Sequence, residues 1–278
     1  MNRSQRPAFF LASAYRLLVR TGVTTSRWFH PCYAALYSLY KRYYEDPYFH
    51  LIRKHPQLFR GGHILDIGAN VGYTVRLFAD VVETPFKVFA FEPDALNFRR
   101  LTLNLKNHPK VTQLELLEQA VGSEEGECHL WINQHNPSDH RVLTSCFADA
   151  FAEKPATRYI PITTIDSFAE SRQIAADISF IKIDVQGFEL AVCAGMSKTL
   201  AINERVHVSL EFVPKQMREL GFEPKELLQF FDDRNFTFFR ISQRGELVRT
   251  NSRALEQFFD SERYLELLCA RASLGVSV

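Results

Sequence analysis

The chain has 278 residues, of which 46% are hydrophobic and 23% are charged, and its formal net charge is +1. These values are typical of an ordinary globular protein with one large α/β domain or two small ones, and they exclude a chain dominated by low-complexity sequence. A net charge so close to zero indicates no particular class of partner.

The first 60 residues differ from the rest in charge and aromatic content. They contain ten Lys or Arg and two acids, so this part carries a charge near +8 and the remainder near −7. Four of its tyrosines follow the spacing of one helix face, Tyr33, Tyr37, Tyr40 and Tyr44. We predict a helical extension over residues 1–60 that packs on, or covers, a domain over residues 61–278. The alternative is a surface for anionic membranes or lipid-linked substrates, which basic and aromatic residues suit.

The cysteines indicate a reducing compartment. Five are scattered along the chain without a CxxC pair, which argues against a disulfide framework and against a zinc site. Arg16 interrupts the apolar run over residues 8–19, so neither a signal peptide nor a membrane-spanning helix is expected there. We therefore expect a cytoplasmic protein, with peripheral membrane contact through residues 1–60 as the alternative.

The stretch over residues 64–74 predicts a strand, a tight turn and a helix. An apolar run ends on Asp66, Gly68, Asn70 and Gly72 follow, and helical periodicity begins directly afterwards. Such a turn presents backbone N–H groups and the positive end of a helix dipole to a ligand. The pattern lacks the close glycines of a dinucleotide site, and the Asp66 carboxylate would repel a pyrophosphate. We predict a cationic cofactor without phosphate, such as S-adenosylmethionine, with its ammonium facing Asp66.

A second acid supports the same interpretation. Glu92 ends an apolar run and lies 24 residues after Gly68, about the offset that brings an acid to a ribose hydroxyl. Either acid alone could be structural, Asp66 as a loop cap and Glu92 as a solvated strand end. Both at this spacing favour a nucleoside site, in which Gly68 and Gly72 admit the ligand to the backbone and Asn70 supplies hydrogen bonds.

Polar residues also follow later predicted strands. The loop over residues 136–141 combines Asp, His and Arg and is a candidate substrate loop, with a solvated turn as the alternative. Asp184 and Glu211 lie at the ends of two predicted neighbouring strands, where ligands bind in open α/β sheets. His140, for its ordinary pKa, and Asp184, for its position, are the predicted candidates for a general base. No clear third oxygen ligand joins Asp184 and Glu211, so we predict no metal.

Three further features concern the sheet. Lys182 lies inside an apolar strand, which suggests either snorkelling at a sheet edge or an ion pair with Asp184 or Glu211. Pro161 predicts that residues 159–163 form an edge strand. Residues 236–241 and 247–248 predict a β-hairpin. The expected fold class is α/β, with a mostly parallel central sheet flanked by helices.

Three motifs together resemble the FkbM family of S-adenosylmethionine-dependent methyltransferases. They are residues 65–72 (LDIGANVG), residues 91–93 (FEP) with Asn104 and Leu105, and residues 181–189 (IKIDVQGFE). The resemblance runs from about Gly61 to about Glu211 and implies a Rossmann-like class I methyltransferase fold. It also implies that Ala120 and Val121 lie near the adenine. The family pattern usually has Glu where this chain has Gln186, and an amide cannot accept a proton; Glu189 matches the pattern and could equally be structural.

The resemblance implies methyl transfer from S-adenosylmethionine to a hydroxyl of a sugar, a glycolipid or polysaccharide, or a secondary metabolite. The alternative is a non-catalytic Rossmann-like module that docks through its basic extension. Nucleic acid is a disfavoured substrate, because residues 184–187 (DVQG) lack the aromatic ring and the proline of amino-methylating enzymes.

Overall fold

A computed structural model describes residues 46–134, 136, 139–153, 155–261 and 264–271. The strands are β1 (His63–Ile67), β2 (Val88–Phe91), β3 (Leu114–Leu117), β4 (Ala120–Val121), β5 (Gly126–Trp131), β6 (Arg141–Val142), β7 (Thr157–Thr163), β8 (Ile178–Ile183), β9 (His207–Phe212), β10 (Thr237–Ile241), β11 (Leu247–Thr250) and β12 (Leu265–Ala270). The helices are α1 (Tyr48–Lys54), α2 (Tyr73–Val81), α3 (Ala95–Leu105), α4 (Ser145–Ala148), α5 (Ile165–Ser171), α6 (Glu189–Ala194), α7 (Ser197–Ile202), α8 (Pro214–Glu219), α9 (Pro224–Asp232) and α10 (Ser252–Glu256). Within these described ranges, no helix combines the length and the apolar character needed to cross a membrane.

Eight strands in the described part of the chain form one sheet, in the order β11-β10-β12-β9-β8-β1-β2-β3. The neighbouring strands β9, β8, β1, β2 and β3 pair in parallel. The sheet continues beyond β9 with β12, β10 and β11, which form antiparallel pairs. The predicted α/β, Rossmann-like class with a mostly parallel sheet is confirmed, and the predicted hairpin is β10–β11. The carboxyl ends of β1, β2, β8 and β9 therefore meet along one edge of the sheet.

Both faces of the central strands are buried. Ile64 and Phe180 point into one apolar cluster, whereas their chain neighbours Leu65 and Ile181 point into the cluster on the other face. This alternation explains why β1 and β8 are continuous apolar runs, as expected of parallel strands that are covered on both sides.

A smaller sheet, with the strand order β4-β7-β5-β6, lies outside the large one. The prediction of an edge strand at residues 159–163 is wrong, because β7 lies between β4 and β5. The proline is accommodated because β4 pairs with β7 through Ile162 and Thr163, beyond Pro161. This sheet brings β4 and β6 toward the edge of the large sheet where β1 and β2 end.

Residues 46–60 share the core of the large sheet. Tyr48, Leu51 and Phe59 are buried, and the Tyr48 hydroxyl donates to Ser209 Oγ on β9 at 2.9 Å. This part of the predicted extension thus packs against the domain, while the boundary at residue 60 stays a prediction. The aromatic face over residues 33–44 lies outside the described residues.

Candidate active site

A cavity opens at the edge of the large sheet where β1, β2, β8 and β9 end. Three acids and one histidine line it, Glu92, Asp184, Glu211 and His140. The other lining residues are Ile67, Gly68, Asn70, Phe91, Pro93, Asn97, Gln119, Ala120, Val121, Leu130, Asn136, Val142, Val185, Gln186 and Phe188. Because no Lys or Arg is found among the described lining residues, the cavity has an acidic character.

Two glycines shape the turn between β1 and α2. Gly68 has φ +82° and Gly72 has φ +88°, values that residues with a Cβ rarely adopt. A Cβ on Gly68 would lie 1.9 Å from the carbonyl oxygen of Asp184, so glycine is required where β1 and β8 end side by side. A Cβ on Gly72 would lie 2.5 Å from Leu101 Cδ1. Gly68 therefore lines the predicted cofactor side, whereas Gly72 is not among the lining residues and leaves room for the Leu101 side chain of α3.

Glu92 follows β2 and is held by backbone N–H groups. Its Oε2 accepts a hydrogen bond from Asn70 N at 2.8 Å, and its Oε1 accepts one from Asp94 N at 2.9 Å. Asn70 has φ 50°, a conformation that Asn tolerates better than most residues. Burial raises the pKa of Glu92 to about 7, although both N–H donors favour its ionised form. Glu92 and Asn70 thus lie together on the cavity wall, where the predicted ribose site requires them.

Asp66 does not line the cavity. It is fully buried, its Oδ2 accepts from Thr74 Oγ1 at 2.5 Å, and its Oδ1 lies 3.3 Å from Lys182 Nζ. This placement differs from the expectation that Asp66 faces a cofactor ammonium, because its charge has a partner directly opposite on β8. The contact with a cofactor stays a prediction.

Lys182 connects the two sides of the site. Its Nζ lies 3.3 Å from an oxygen of Asp66 and 3.3 Å from Asp184 Oδ2. Because β8 is a central strand and Lys182 is only 4% exposed, the snorkelling interpretation is wrong and the predicted ion pair with Asp184 is confirmed. Burial opposes the charged form, but the Asp66 and Asp184 carboxylates hold the pKa of Lys182 above its ordinary value.

Ala120 and Val121 form β4 and lie on the cavity wall beside the end of β3. This position is compatible with an adenine beside them, and that contact stays a prediction. Sequence analysis missed the other apolar part of the wall, Leu130, Val142 and Phe188. Leu130 lies on β5, Val142 on β6 and Phe188 in the loop before α6, so no local pattern could have grouped them.

His140 lies on the wall, but its hydrogen bonds disfavour the predicted role as a base. Its Nδ1 accepts from Asn133 N at 3.0 Å, so the neutral ring carries its proton on Nε2, 3.9 Å from Asp94 Oδ1. Burial lowers the pKa of His140 below its ordinary value, and the charges of Asp94 and Asp139 oppose this effect without reversing it. With Nδ1 engaged and Nε2 protonated, the ring offers no lone pair to an incoming proton.

Of the predicted substrate loop, Asn136 and His140 reach the cavity. Arg141 instead turns toward α8. It binds Asp139 Oδ1 at 2.7 Å through Nε and Glu219 Oε2 at 2.6 Å through an Nη. This double ion pair fastens the loop to α8.

Asp184 and Glu211 lie at neighbouring strand ends, as predicted, because β8 and β9 pair in parallel. The Gln186 amide bridges them, since its Nε2 donates to Asp184 Oδ1 at 2.9 Å and to Glu211 Oε2 at 3.1 Å. Gln186 Oε1 accepts from Gln216 Nε2 at 3.2 Å, which fixes the orientation of the amide. Burial and the nearby Asp184 charge raise the pKa of Glu211 well above its ordinary value. The role of Gln186 was left in doubt by the sequence. In the structure its amide lies between the two acids and donates a hydrogen bond to each.

Glu189 supports the loop that carries Gln186. Its Oε1 accepts from Val185 N at 3.2 Å and from Gly187 N at 3.1 Å. Gln186 has φ 56° and Gly187 has φ 101°, so the loop adopts left-handed conformations that need such support. Burial raises the pKa of Glu189 to about 7, against the effect of the N–H donors. Its position off the cavity wall agrees with the structural alternative considered for this residue.

The β1–β2 side of the cavity fits a nucleoside cofactor. Gly68 keeps the backbone free of a side chain at the strand end, and the Glu92 carboxylate retains lone pairs for ribose hydroxyls. Ala120 and Val121 offer small apolar surfaces to a base. Among the described residues, no three His, Cys, Asp or Glu side chains are grouped so that they could hold a metal ion.

Comparison with known proteins identifies a family and several methyltransferase structures to which the chain is similar. The family model for the methyltransferase FkbM domain matches residues 66–238. The chain is similar to the structure of a methyltransferase FkbM from Methylobacillus flagellatus KT, with 14% identity and a TM-score of 0.44 over 75% of this chain and 43% of that chain. It is also similar to an S-adenosylmethionine-dependent O-methyltransferase from Thermotoga maritima, with 13% identity and a TM-score of 0.38 over 83% and 66% of the two chains. The chain thus spans less than half of the first of these structures. A search of curated proteins gives no significant match.

Proposed function

Because the chain belongs to the FkbM methyltransferase family, we propose that it is an S-adenosylmethionine-dependent methyltransferase acting on a hydroxyl group. The observation that carries the proposal is the cavity at the strand ends. Its β1–β2 side combines Gly68, Asn70 and Glu92, which suit a nucleoside. Its β8–β9 side adds the carboxylates of Asp184 and Glu211, which suit a hydroxyl donor.

The chain's contribution to the reaction is mainly to bind and align. The cofactor, when bound, supplies an electrophilic methyl group on a sulfonium. Glu92 would accept hydrogen bonds from the ribose of the bound cofactor, and Asn70 keeps the Glu92 carboxylate in place through its N–H group. Methyl transfer requires reacting atoms about 3 Å apart and in line, so orientation of the acceptor by the acids on the β8–β9 side matters most.

The proposed acceptor is a sugar, a glycolipid or polysaccharide, or a secondary-metabolite hydroxyl. The described lining supports an uncharged acceptor, since it offers no Lys or Arg to a phosphate or carboxylate group. Hydroxyl groups, in contrast, donate hydrogen bonds to carboxylates such as those of Glu92, Asp184 and Glu211.

Calorimetry with S-adenosylmethionine and with S-adenosylhomocysteine tests the proposal. We expect both to bind the wild type, and we expect Glu92→Gln to weaken binding about tenfold or more, because an amide cannot accept from two backbone N–H groups and a ribose together. Glu124→Gln is the matched control, since Glu124 is an exposed acid away from the cavity and its loss should change nothing. Absence of binding at millimolar ligand would end the proposal in favour of the non-catalytic module.

Contact of the basic extension with anionic membranes is a separate proposal. Since residues 48–59 pack into the core, the test should leave them in place. Full-length protein and a variant with Arg16, Arg20 and Arg27 replaced by Gln can be pelleted with vesicles containing phosphatidylserine. Weaker pelleting of the variant is expected, and equal pelleting would remove the proposal.

A further inference from the structure

Glu211 is the acid best placed to act on an acceptor. It lies near the end of β9, lines the cavity, and is paired in register with Glu266 on β12. One carboxylate oxygen, Oε2, accepts from Gln186. Since a carboxylate has further lone pairs on both oxygens, that single bond leaves Glu211 able to accept from another hydroxyl.

The neighbouring candidates are less able to take a proton. The His140 ring is engaged at Nδ1 and protonated at Nε2 when neutral. Asp184 accepts from Gln186 at Oδ1 and from the Lys182 ammonium at Oδ2, so each of its oxygens already has a donor and one of the two donors is a cation. Glu211 has one neutral amide donor in comparison.

The surroundings of Glu211 favour the protonated carboxyl. The charged groups that act on it come from three elements: Asp184 and Lys182 belong to β8 and its end, Glu189 to α6, and Glu266 to β12. Burial and the three acids raise the pKa of Glu211, and the single cation lowers it. A raised pKa makes the ionised Glu211 carboxylate a stronger base than an ordinary glutamate, which favours proton transfer from a hydroxyl.

Gln186 determines where the Glu211 carboxylate lies. Because Gln186 Oε1 accepts from Gln216, the amide Nε2 must face the acids, and its two hydrogens serve Asp184 and Glu211. The left-handed loop conformation that allows this is held by Glu189. Gln186 is therefore a positioning residue rather than a catalytic one.

We propose that Glu211 accepts the proton of the acceptor hydroxyl and that Gln186 holds Glu211 in position for this step. The inference rests on the proposed methyltransferase function. As the O–H proton passes to the Glu211 carboxylate, the hydroxyl oxygen uses its electron pair to form the bond to the methyl carbon. The C–S bond breaks and its electron pair stays on sulfur, which becomes a neutral thioether. Glu211 then returns the proton to water.

Binding of two cofactor analogues tests the position of Glu211 without any acceptor. In sinefungin a carbon replaces the sulfur and carries an ammonium group where the transferable methyl group would be, and S-adenosylhomocysteine has nothing at that position. We expect the wild type to prefer sinefungin about tenfold, as a charged hydrogen bond would give. We expect Glu211→Gln to abolish that preference while its affinity for S-adenosylhomocysteine stays within about twofold of the wild type. Preference retained in Glu211→Gln would overturn the inference, whereas absence of binding by both analogues would instead reject the proposed function.

The pH dependence of this preference tests the arrangement around Glu211. The preference should grow as pH rises and Glu211 ionises, since an alkyl ammonium stays charged up to about pH 10. Gln186→Glu adds a like charge and should move the midpoint to higher pH. Glu266→Gln removes one and should move it to lower pH, and Glu118→Gln, at an exposed position, should leave it unchanged. Unshifted midpoints in both Gln186→Glu and Glu266→Gln would contradict the proposed role of Glu211.

Discussion

The two sides of the cavity hold their acids in different ways. On the β1–β2 side, Glu92 is held by the backbone N–H groups of Asn70 and Asp94. On the β8–β9 side, Asp184 and Glu211 are held by side chains, the ammonium of Lys182 and the amide of Gln186. Backbone N–H donors do not depend on which side chains are present, so the position of Glu92 depends on the path of the backbone. The second depends on the identity of individual residues and should be more sensitive to conservative substitution.

Replacement of Lys182 should have the largest effect. Lys182→Met removes the cation between Asp66 and Asp184 and leaves the fully buried Asp66 carboxylate without its ionic partner. Loss of one member of a buried ion pair costs about 3–5 kcal/mol, and we expect a decrease of this size in the free energy of unfolding in urea.

The double variant Lys182→Met with Asp66→Asn provides the control. Because it removes both charges, it should recover much of the lost stability, which a double-mutant cycle would measure as a coupling energy. A loss below about 1 kcal/mol in the single variant would show that side chains do not hold the β8–β9 side together.

Replacement of Gly68 should be the strongest disturbance of the backbone-held side. Gly68→Ala places a Cβ 1.9 Å from the Asp184 carbonyl oxygen and forces alanine into φ +82°. We expect a loss of about 3 kcal/mol in stability, measured by thermal unfolding, because the strand ends must separate.

Gly61→Ala is its matched control. Gly61 also has a positive φ of +72°, but nothing lies within 4 Å of the position of its Cβ. It should lose only about 1 kcal/mol, from backbone strain alone. Equal losses in both variants would mean that the close approach of β1 and β8 adds nothing.

The same difference explains how much could be predicted from the sequence. Glu92 and its partner Asn70 are 22 residues apart and lie in one strand–turn–helix–strand unit. Their spacing, together with the alternation of apolar runs and helical periodicity, predicted an α/β fold with a mostly parallel sheet and placed both residues at one edge of it. The strand ends that carry Asp184 and Glu211 were predicted for the same reason. The Rossmann-like methyltransferase fold was implied by the family resemblance.

The partners of the remaining side chains could not be predicted from local patterns. Asp66 was predicted to face a ligand. Its partner Lys182 is placed opposite it only by the pairing of β1 with β8, which no local pattern reveals. His140 was predicted as a candidate base. The hydrogen bond from Asn133 N to its Nδ1 depends on the loop conformation and could not be predicted from the sequence. The middle position of β7 in the small sheet likewise depends on pairing with the distant β4.

Glu189 provides a backbone-held acid on the β8–β9 side, and its titration should be measurable. In the folded protein its pKa is about 7, against 4.5 for the ordinary group, so the folded state binds more protons between these values. Stability contributed by this group is therefore lost as pH rises through this range. Between pH 5 and pH 8 the free energy of unfolding of the wild type should fall. In Glu189→Gln this fall should be smaller by about 2 kcal/mol.

The amide in Glu189→Gln can keep both N–H bonds through its oxygen, so this prediction concerns the slope with pH and not the absolute stability. Urea unfolding at several pH values gives the slope directly. If the wild type and the variant change in parallel, Glu189 is ionised in the folded state at pH 5, and burial does not control its charge.

The smallest effect is expected at the rim, where Arg141 fastens the loop carrying His140 to α8. The Arg141 side chain is 10% exposed and binds two acids, so Arg141→Ala should cost about 1–2 kcal/mol and leave Asp139 without its cation. Arg218→Ala is the comparison, because Arg218 pairs with Asp260, whose side chain is 98% exposed, and solvent screening should keep its cost below about 0.5 kcal/mol. Since neither Arg lines the cavity, S-adenosylhomocysteine affinity should change little in Arg218→Ala. A weakening in Arg141→Ala alone would mean that the side-chain-held half of the site extends as far as this loop.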